Sequence, residues 1–171
     1  MKTITQFLKI ILIAMIMLSL NNNADAQWVR QTICSAGWSV EFPATPVSVT
    51  PAHPWTVKWE QVVTGKPLFE ARYYDNGSLI RKGPAQTKAI NNAINTYASE
   101  TGGTIVHRTT VAPWKGGSSA IADIEIPAAN KKIKVRISIF NDKEVILLAI
   151  TNKPDFVTAA IADKFWNSLT P

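Results

Sequence analysis

Side chains able to do acid–base, nucleophilic or metal chemistry are scarce in this sequence. Its 171 residues hold two histidines and one cysteine. His53 stands in Pro51-Ala52-His53-Pro54, a loop sequence, and His107 stands between Val106 and Arg108 in a β-branched run. A metal centre usually gathers three or four convergent ligands. Neither histidine has a second His, Cys or acid at ligand spacing, so no metal and no cofactor are expected. Cys34 and His107 would form a nucleophile–base pair only if the fold brought them within hydrogen-bond reach. Nothing basic flanks Cys34 to favour its thiolate, and a buried, small hydrophobic role is the expectation. A free thiol or an intermolecular partner are the other roles open to it.

Other catalytic signatures are missing or incomplete. No G-x-S-x-G is present. Gly116-Gly117-Ser118-Ser119 resembles a phosphate-cradling loop, yet it lacks the P-loop spacing and the Lys-Ser/Thr pair after the last glycine. A plain strand-to-strand turn is the simpler reading. Asp123 and Glu125 share one face of a short strand, matching a glycosidase pair in residue type alone, and a solvent face is expected for them. The sequence predicts a protein that is not an enzyme; an envelope hydrolase is the alternative from another class.

Residues suited to binding are better represented. Trp114 lies in the loop sequence Pro113-Trp114-Lys115-Gly116, where an indole could stack on a sugar ring or dock a protein. Trp55 and Trp59 fall at alternating strand positions, which favours the core. Lys132, Lys134 and Arg136 line the polar face of a strand, forming either an anion-binding stripe or a solvated or edge face whose charges discourage strand addition. Trp114, Lys132, Lys134 and Arg136 are therefore the candidate binding residues, and a carbohydrate- or anion-binding envelope protein is one reading of them.

The elements that must position these residues follow a removable leader. Lys2, the apolar run Ile10–Leu20 and Ala24-Asp25-Ala26 read as a signal peptide over 1–26. Its apolar core is shorter than the roughly 20 residues that cross a bilayer. A secreted or periplasmic location is expected, with no membrane span after cleavage and a single globular domain over 27–171. A lone cysteine allows no intrachain disulfide. The formal charge of +6 falls by one with the leader. No run of five basic residues and no nucleic-acid motif is present, so nucleic acid is not an expected partner.

Period-two alternation predicts strands at Trp38–Phe42, Trp55–Val63, Leu68–Tyr74, Thr104–Val111 and Ala120–Ile126. Trp28–Ser35 reads as a short helix or irregular lead-in, and Pro113–Ser119 as a loop. Ile90, Ala93, Ile94, Tyr97 and Ala98 mark an amphipathic helix over 84–100, with Gly102-Gly103 as its stop. A second helical stripe uses Val157, Ala160, Ile161, Phe165 and Leu169. The organising element is Lys131–Thr151, KKIKVRISIFNDKEVILLAIT, a hairpin turning at Asn141-Asp142. With a two-residue loop, Ile137 would face Ile146, Val135 would face Leu148 and Ile133 would face Ile150. Val145–Ile150 is apolar on both faces and wants cover above and below.

Four segments, taken in order, resemble a known group: WSVEFPATP at the start, the helix ending at Gly102-Gly103, the paired strands KVRISIFNDKEVILLAIT, and the closing ADKFWNSL. They are similar to bacterial secreted members of the PsbP-like superfamily, over roughly Trp38–Leu169. That resemblance implies an α+β fold, an antiparallel sheet of about seven strands sandwiched by helices (an α/β/α sandwich). It also implies a non-catalytic accessory or binding module rather than a reaction. The metal- and Ran-binding residues of particular branches have no counterpart here. The partner expected is an unidentified envelope or extracellular protein or glycan.

Overall fold

The structure, a computed structural model, describes residues 28–171. The leader expected over 1–26 lies outside the described residues. The described residues form an α+β fold, with a large antiparallel sheet and two α-helices. A separate ribbon pairs β1 (Val29–Thr32) with β2 (Ser39–Phe42). The main sheet contains β3 (Val47–Ser48), β4 (Val57–Gln61), β5 (Leu68–Asp75), β6 (Thr104–Arg108), β7 (Ala112–Trp114), β8 (Gly117–Ile126), β9 (Lys131–Phe140) and β10 (Glu144–Asn152). Its spatial order is β3-β4-β5-β10-β9-β8-β6, with β7 also on β8. Helices α1 (Pro84–Thr101) and α2 (Ala159–Asn167) complete the fold. No helix among the described residues is long and apolar enough to cross a membrane.

Several expectations are corrected. The main sheet has eight strands, where about seven in all were expected. The lead-in Trp28–Ser35 contains a strand, β1, because Arg30 and Gln31 find partners in Glu41 and Val40 of β2. The segment Pro113–Ser119 is not a free loop: a tight turn at Lys115-Gly116 folds β7 back onto β8. Trp55 precedes β4 and turns to the opposite face from Val57 and Trp59, where it meets Tyr74 edge-on at 5.1 Å. In α2 the buried stripe is Ala162, Phe165 and Trp166, while Ile161 is 39% exposed.

The hairpin forms where expected but in the neighbouring register. Asn141 and Asp142 both adopt positive φ, and Lys143 N–H donates to the Phe140 carbonyl at 3.0 Å. The ladder resumes one residue later, with Glu144 opposite Phe140, so Lys143 is an extra residue on one side. Ile137 consequently faces Leu147, Val135 faces Ala149 and Ile133 faces Thr151. Turn chemistry sets the register here, since β10 is apolar on both faces and accepts either one.

Alternate residues of β10 enter two separate apolar clusters. Val145, Leu147 and Ala149 join Ile133, Val135, Ile137 and Ile139 of β9 with Ile90, Ile94 and Tyr97 of α1. Ile146, Leu148 and Ile150 join Phe69 of β5, Val40 and Phe42 of β2, and Ala162, Phe165 and Trp166 of α2. Phe165 is the hub of the second cluster, with ring centroids 5.1 Å from Phe69 and 5.4 Å from Phe42.

Backbone crowding singles out Gly117. A Cβ there would overlap the Ile139 carbonyl oxygen and the Phe140 ring. The Gly117→Ala variant is expected to lose about 1–3 kcal/mol as the β8–β9 contact spreads. Urea unfolding measures this, and an unchanged midpoint would refute the close approach.

Candidate functional site

The polar face of β9 carries Lys132, Lys134 and Arg136, but β9 is an interior strand between β10 and β8. The edge-protection reading is therefore wrong. Across the ladder, Lys132 opposes Glu125 and Lys134 opposes Asp123. Their ammonium groups donate to these carboxylates at 2.9 Å and 2.8 Å. Asp123 and Glu125 thus serve as cross-strand partners rather than as a bare solvent face. The hydrogen bond to Glu125 holds Lys132 above the ordinary lysine range. Phe156 lies beneath both lysines, 5.1 Å and 5.2 Å from their nitrogens. Two charges of the expected stripe are already matched.

Arg136 is different. Its cross-strand neighbours are Ile121 on β8 and Leu148 on β10, so the register offers it no acid. The guanidinium lies between two indoles, 4.2 Å from the Trp114 ring and 4.8 Å from the Trp166 ring. Strand β7 delivers Trp114 and helix α2 delivers Trp166. One Arg136 nitrogen donates to Ser119 Oγ at 3.2 Å. Arg136 Nε and Trp166 Nε1 are both buried and have no acceptor. Burial pushes Arg136 down to about 10, partly opposed by the charge of Asp163.

More positive charge lies alongside. Lys115, at positive φ in the β7–β8 turn, donates to the carbonyls of Asn167 and Leu169 at 2.7 Å and 2.8 Å. It caps the C-terminal end of α2, where the helix dipole favours a cation. Burial lowers its pKa, and repulsion from Arg136 and Arg30 lowers it further. Arg30 donates to Thr170 and is neutralised by Glu41 at 2.7 Å. Chemically, this is a stacked guanidinium with spare donors and no carboxylate of its own. Such a group matches the flat, two-oxygen face of a carboxylate, sulfate or phosphate.

Of the four candidate residues, the structure brings Trp114 and Arg136 together and leaves Lys132 and Lys134 in ion pairs one step along the strand. Trp166 was missed by sequence reasoning; its spacing of four from Ala162 on a helix was the available signal. The histidine and cysteine chemistry is dispersed. Cys34 is buried beside Tyr73 of β5 and Glu144 of β10, and desolvation raises its pKa. His107 lies on the exposed edge strand β6, separated from β10 by three strand spacings, roughly 14 Å. No group of three His, Cys, Asp or Glu among the described residues could hold a metal.

A second charged group, also unforeseen, lies under the C-terminal half of α1. Arg72 donates to Glu70 at 2.7 Å and to Glu100 at 2.9 Å, and Lys58 bridges Glu60 and Glu70 at 2.5 Å and 3.3 Å. The Arg72 guanidinium sits 4.9 Å from the Tyr97 ring and 5.8 Å from the Trp55 ring. Burial, reinforced by the charge of Glu70, pushes the Tyr97 phenol well up. Every charge in this group has an opposite partner, which makes it a clamp between β4, β5 and α1. The alternation of Lys58 with Glu60 and of Glu70 with Arg72 was visible in sequence, but their pairing depends on strand order.

No family model matches the chain, and no curated protein matches it closely enough to count as a relative.

Proposed function

We propose that this chain is a secreted or periplasmic, non-catalytic accessory module that binds an acidic group of an envelope or extracellular partner. The binding element is Arg136 stacked between Trp114 and Trp166. The observation that carries the reading is the pair of buried donors, Arg136 Nε and Trp166 Nε1, left without acceptors around a cation that makes no ion pair among the described residues. Buried donors are nearly always satisfied, so two together point to an acceptor supplied from outside the described residues. The non-catalytic half of the reading is supported by seven carboxylates held in ion pairs, Glu41, Glu60, Glu70, Asp75, Glu100, Asp123 and Glu125, while Asp142, Glu144, Asp155 and Asp163 make none.

In the same reading the fold is a PsbP-like α/β/α sandwich, with a helix covering each face of the sheet. The division of β10 between two clusters, one containing α1 residues and the other α2 residues, supports it.

The test is a pull-down of envelope components, run with a glycan array, using the mature chain. Capture is expected to weaken with rising salt. It should be lost in Trp114→Ala and Arg136→Gln and kept in Cys34→Ala, with thermal melts confirming that each variant folds. Capture that survives Arg136→Gln, or a turnover that depends on Cys34 and His107, would overturn the reading.

A further inference from the structure

Three turns meet at one end of the main sheet: the β9–β10 turn at Asn141-Asp142, the β7–β8 turn at Lys115-Gly116, and the turn at Lys82-Gly83 that enters α1. Between them lies a cleft of about 590 Å³. Gln86, in the first turn of α1 and 2% exposed, forms part of its wall. Both amide hydrogens and the carbonyl oxygen of this side chain are committed. Nε2 donates to the Ile80 carbonyl at 3.1 Å and to Asp142 Oδ1 at 2.8 Å, and Oε1 accepts from Ser118 Oγ at 2.6 Å. Ile80 N–H in turn donates to the Asp142 carbonyl at 2.5 Å. Asp142 is thus held at both backbone and side chain, yet its carboxylate meets no cation among the described residues. Lys82 lines the same cleft, is exposed, and likewise makes no ion pair among the described residues. The two charges share one cleft without coming within ion-pair distance of each other.

We propose that this cleft is a second binding site, for a small zwitterion carrying a primary ammonium and a carboxylate, the chemistry of a free α-amino acid. The ammonium donates to Asp142 Oδ2, the oxygen that Gln86 leaves free, and to the lone pairs of Ser118 Oγ. Lys82 meets the carboxylate. Several features select that class. The volume falls within the range of small-molecule sites, roughly 300–1,000 Å³. The lining holds one side chain of each sign, so a ligand of a single sign meets repulsion from one of them. Asp142 is oriented beforehand by a buried amide, which removes part of the ordering cost that binding otherwise carries. No aromatic ring lines the cleft, so a sugar has no face to stack on. The site is separate from the one around Arg136: Ile139 in its wall belongs to the cluster with α1, whereas Trp114 and Trp166 stand with the other cluster.

Matched derivatives of one ligand separate the two charges. L-Serine carries both, serine methyl ester carries only the ammonium, and N-acetylserine only the carboxylate. Glycine and L-glutamine extend the test to other side chains. Amide NMR titrations of the isotope-labelled protein should shift Gly116, Gly117, Ser118, Asn141 and Asp142 with all three amino acids. Each single-charge derivative is expected to bind about tenfold more weakly than L-serine, the loss of one hydrogen bond to a charged group. Asp142→Asn keeps the acceptor for Gln86 and suits the positive φ of this position, so it removes the charge alone. It should weaken L-serine and the methyl ester about tenfold and leave N-acetylserine no weaker. Lys82→Met should weaken L-serine by about threefold, since an exposed ion pair is worth less, and should spare the methyl ester. Four results would overturn the proposal: no shift at these amides with any of the three amino acids, derivatives that bind as tightly as L-serine, an L-serine affinity unchanged in Asp142→Asn, or D-glucose shifting the same amides as strongly. Arg136→Gln should leave all these titrations unchanged, so the two sites stand or fall separately.

Discussion

Replacing Arg72 by alanine is expected to cost about 3–5 kcal/mol of folding stability, the penalty for leaving a buried charge without its partner. Glu70 is 4% exposed, and Arg72 is its closest ionic neighbour. Without the guanidinium, Glu70 keeps only the longer contact to Lys58, and Glu100 at the end of α1 loses its tie to the sheet. The stacked contacts with Tyr97 and Trp55 vanish as well. The informative comparison is the double variant Glu70→Leu/Arg72→Met. Replacing a buried ion pair by apolar groups of similar size is often neutral or stabilising, so the double variant should recover most of the loss. Urea unfolding of the two single variants and the double variant measures the coupling. A loss below about 1 kcal/mol in Arg72→Ala, typical of an exposed pair, would show that water screens the group.

A loss of similar size is expected for Phe165→Ala, about 3–5 kcal/mol for an aromatic side chain removed from a core. Phe165 is fully buried and touches rings from three directions: Phe69 on the sheet, Phe42 on the ribbon and Trp28 just before β1. The cavity left behind cannot close easily, because those rings come from three different elements. Phe165→Leu should cost less, since much of the space stays filled. Beyond stability, Phe165→Ala should loosen α2 and so disturb the site that α2 helps to build through Trp166. Near-ultraviolet circular dichroism and the unfolding midpoint report the two effects. A midpoint that barely moves would mean that α2 is not held by this ring.

How much of this was legible depends on whether local pattern or strand order carried the information. The hairpin Lys131–Thr151 and helix α1 announce themselves through period and turn residues, and both are found. The register of the hairpin is not legible from face matching, since every residue from Val145 to Ile150 suits a buried position. The geometry of Asn141 and Asp142 chose between the alternatives. Strand β1 is short, alternates between half-buried and exposed positions, and owes its existence to pairing with β2. No local period could reveal it. The candidate site shows the same division. Trp114 and Arg136 could be picked as residues suited to binding, but their stacking required knowing that β7 folds onto β8 and that α2 packs above β9. Lys132 and Lys134 carry the same sequence signal as Arg136. They differ only because β8 places Glu125 and Asp123 opposite them and Ile121 opposite Arg136.

The doubly apolar strand β10 has a consequence for the chain before it folds. Val145–Ile150 is six consecutive apolar residues, three of them β-branched, with no charge and no proline, the pattern that forms dry zippers between molecules. In the native sheet β5 and β9 occupy both its edges, and the two clusters cover both its faces. Strand β9 is available at once through the hairpin, whereas β5 is separated from β10 by α1, β6, β7, β8 and β9. During folding, then, one edge of the stickiest segment stays open until the longest loop in the sheet closes. Lys143 and Glu144 before it, with Asn152 and Lys153 after it, act as gatekeepers over that interval. Under the export proposed above, this one segment is where a holding chaperone would have to bind.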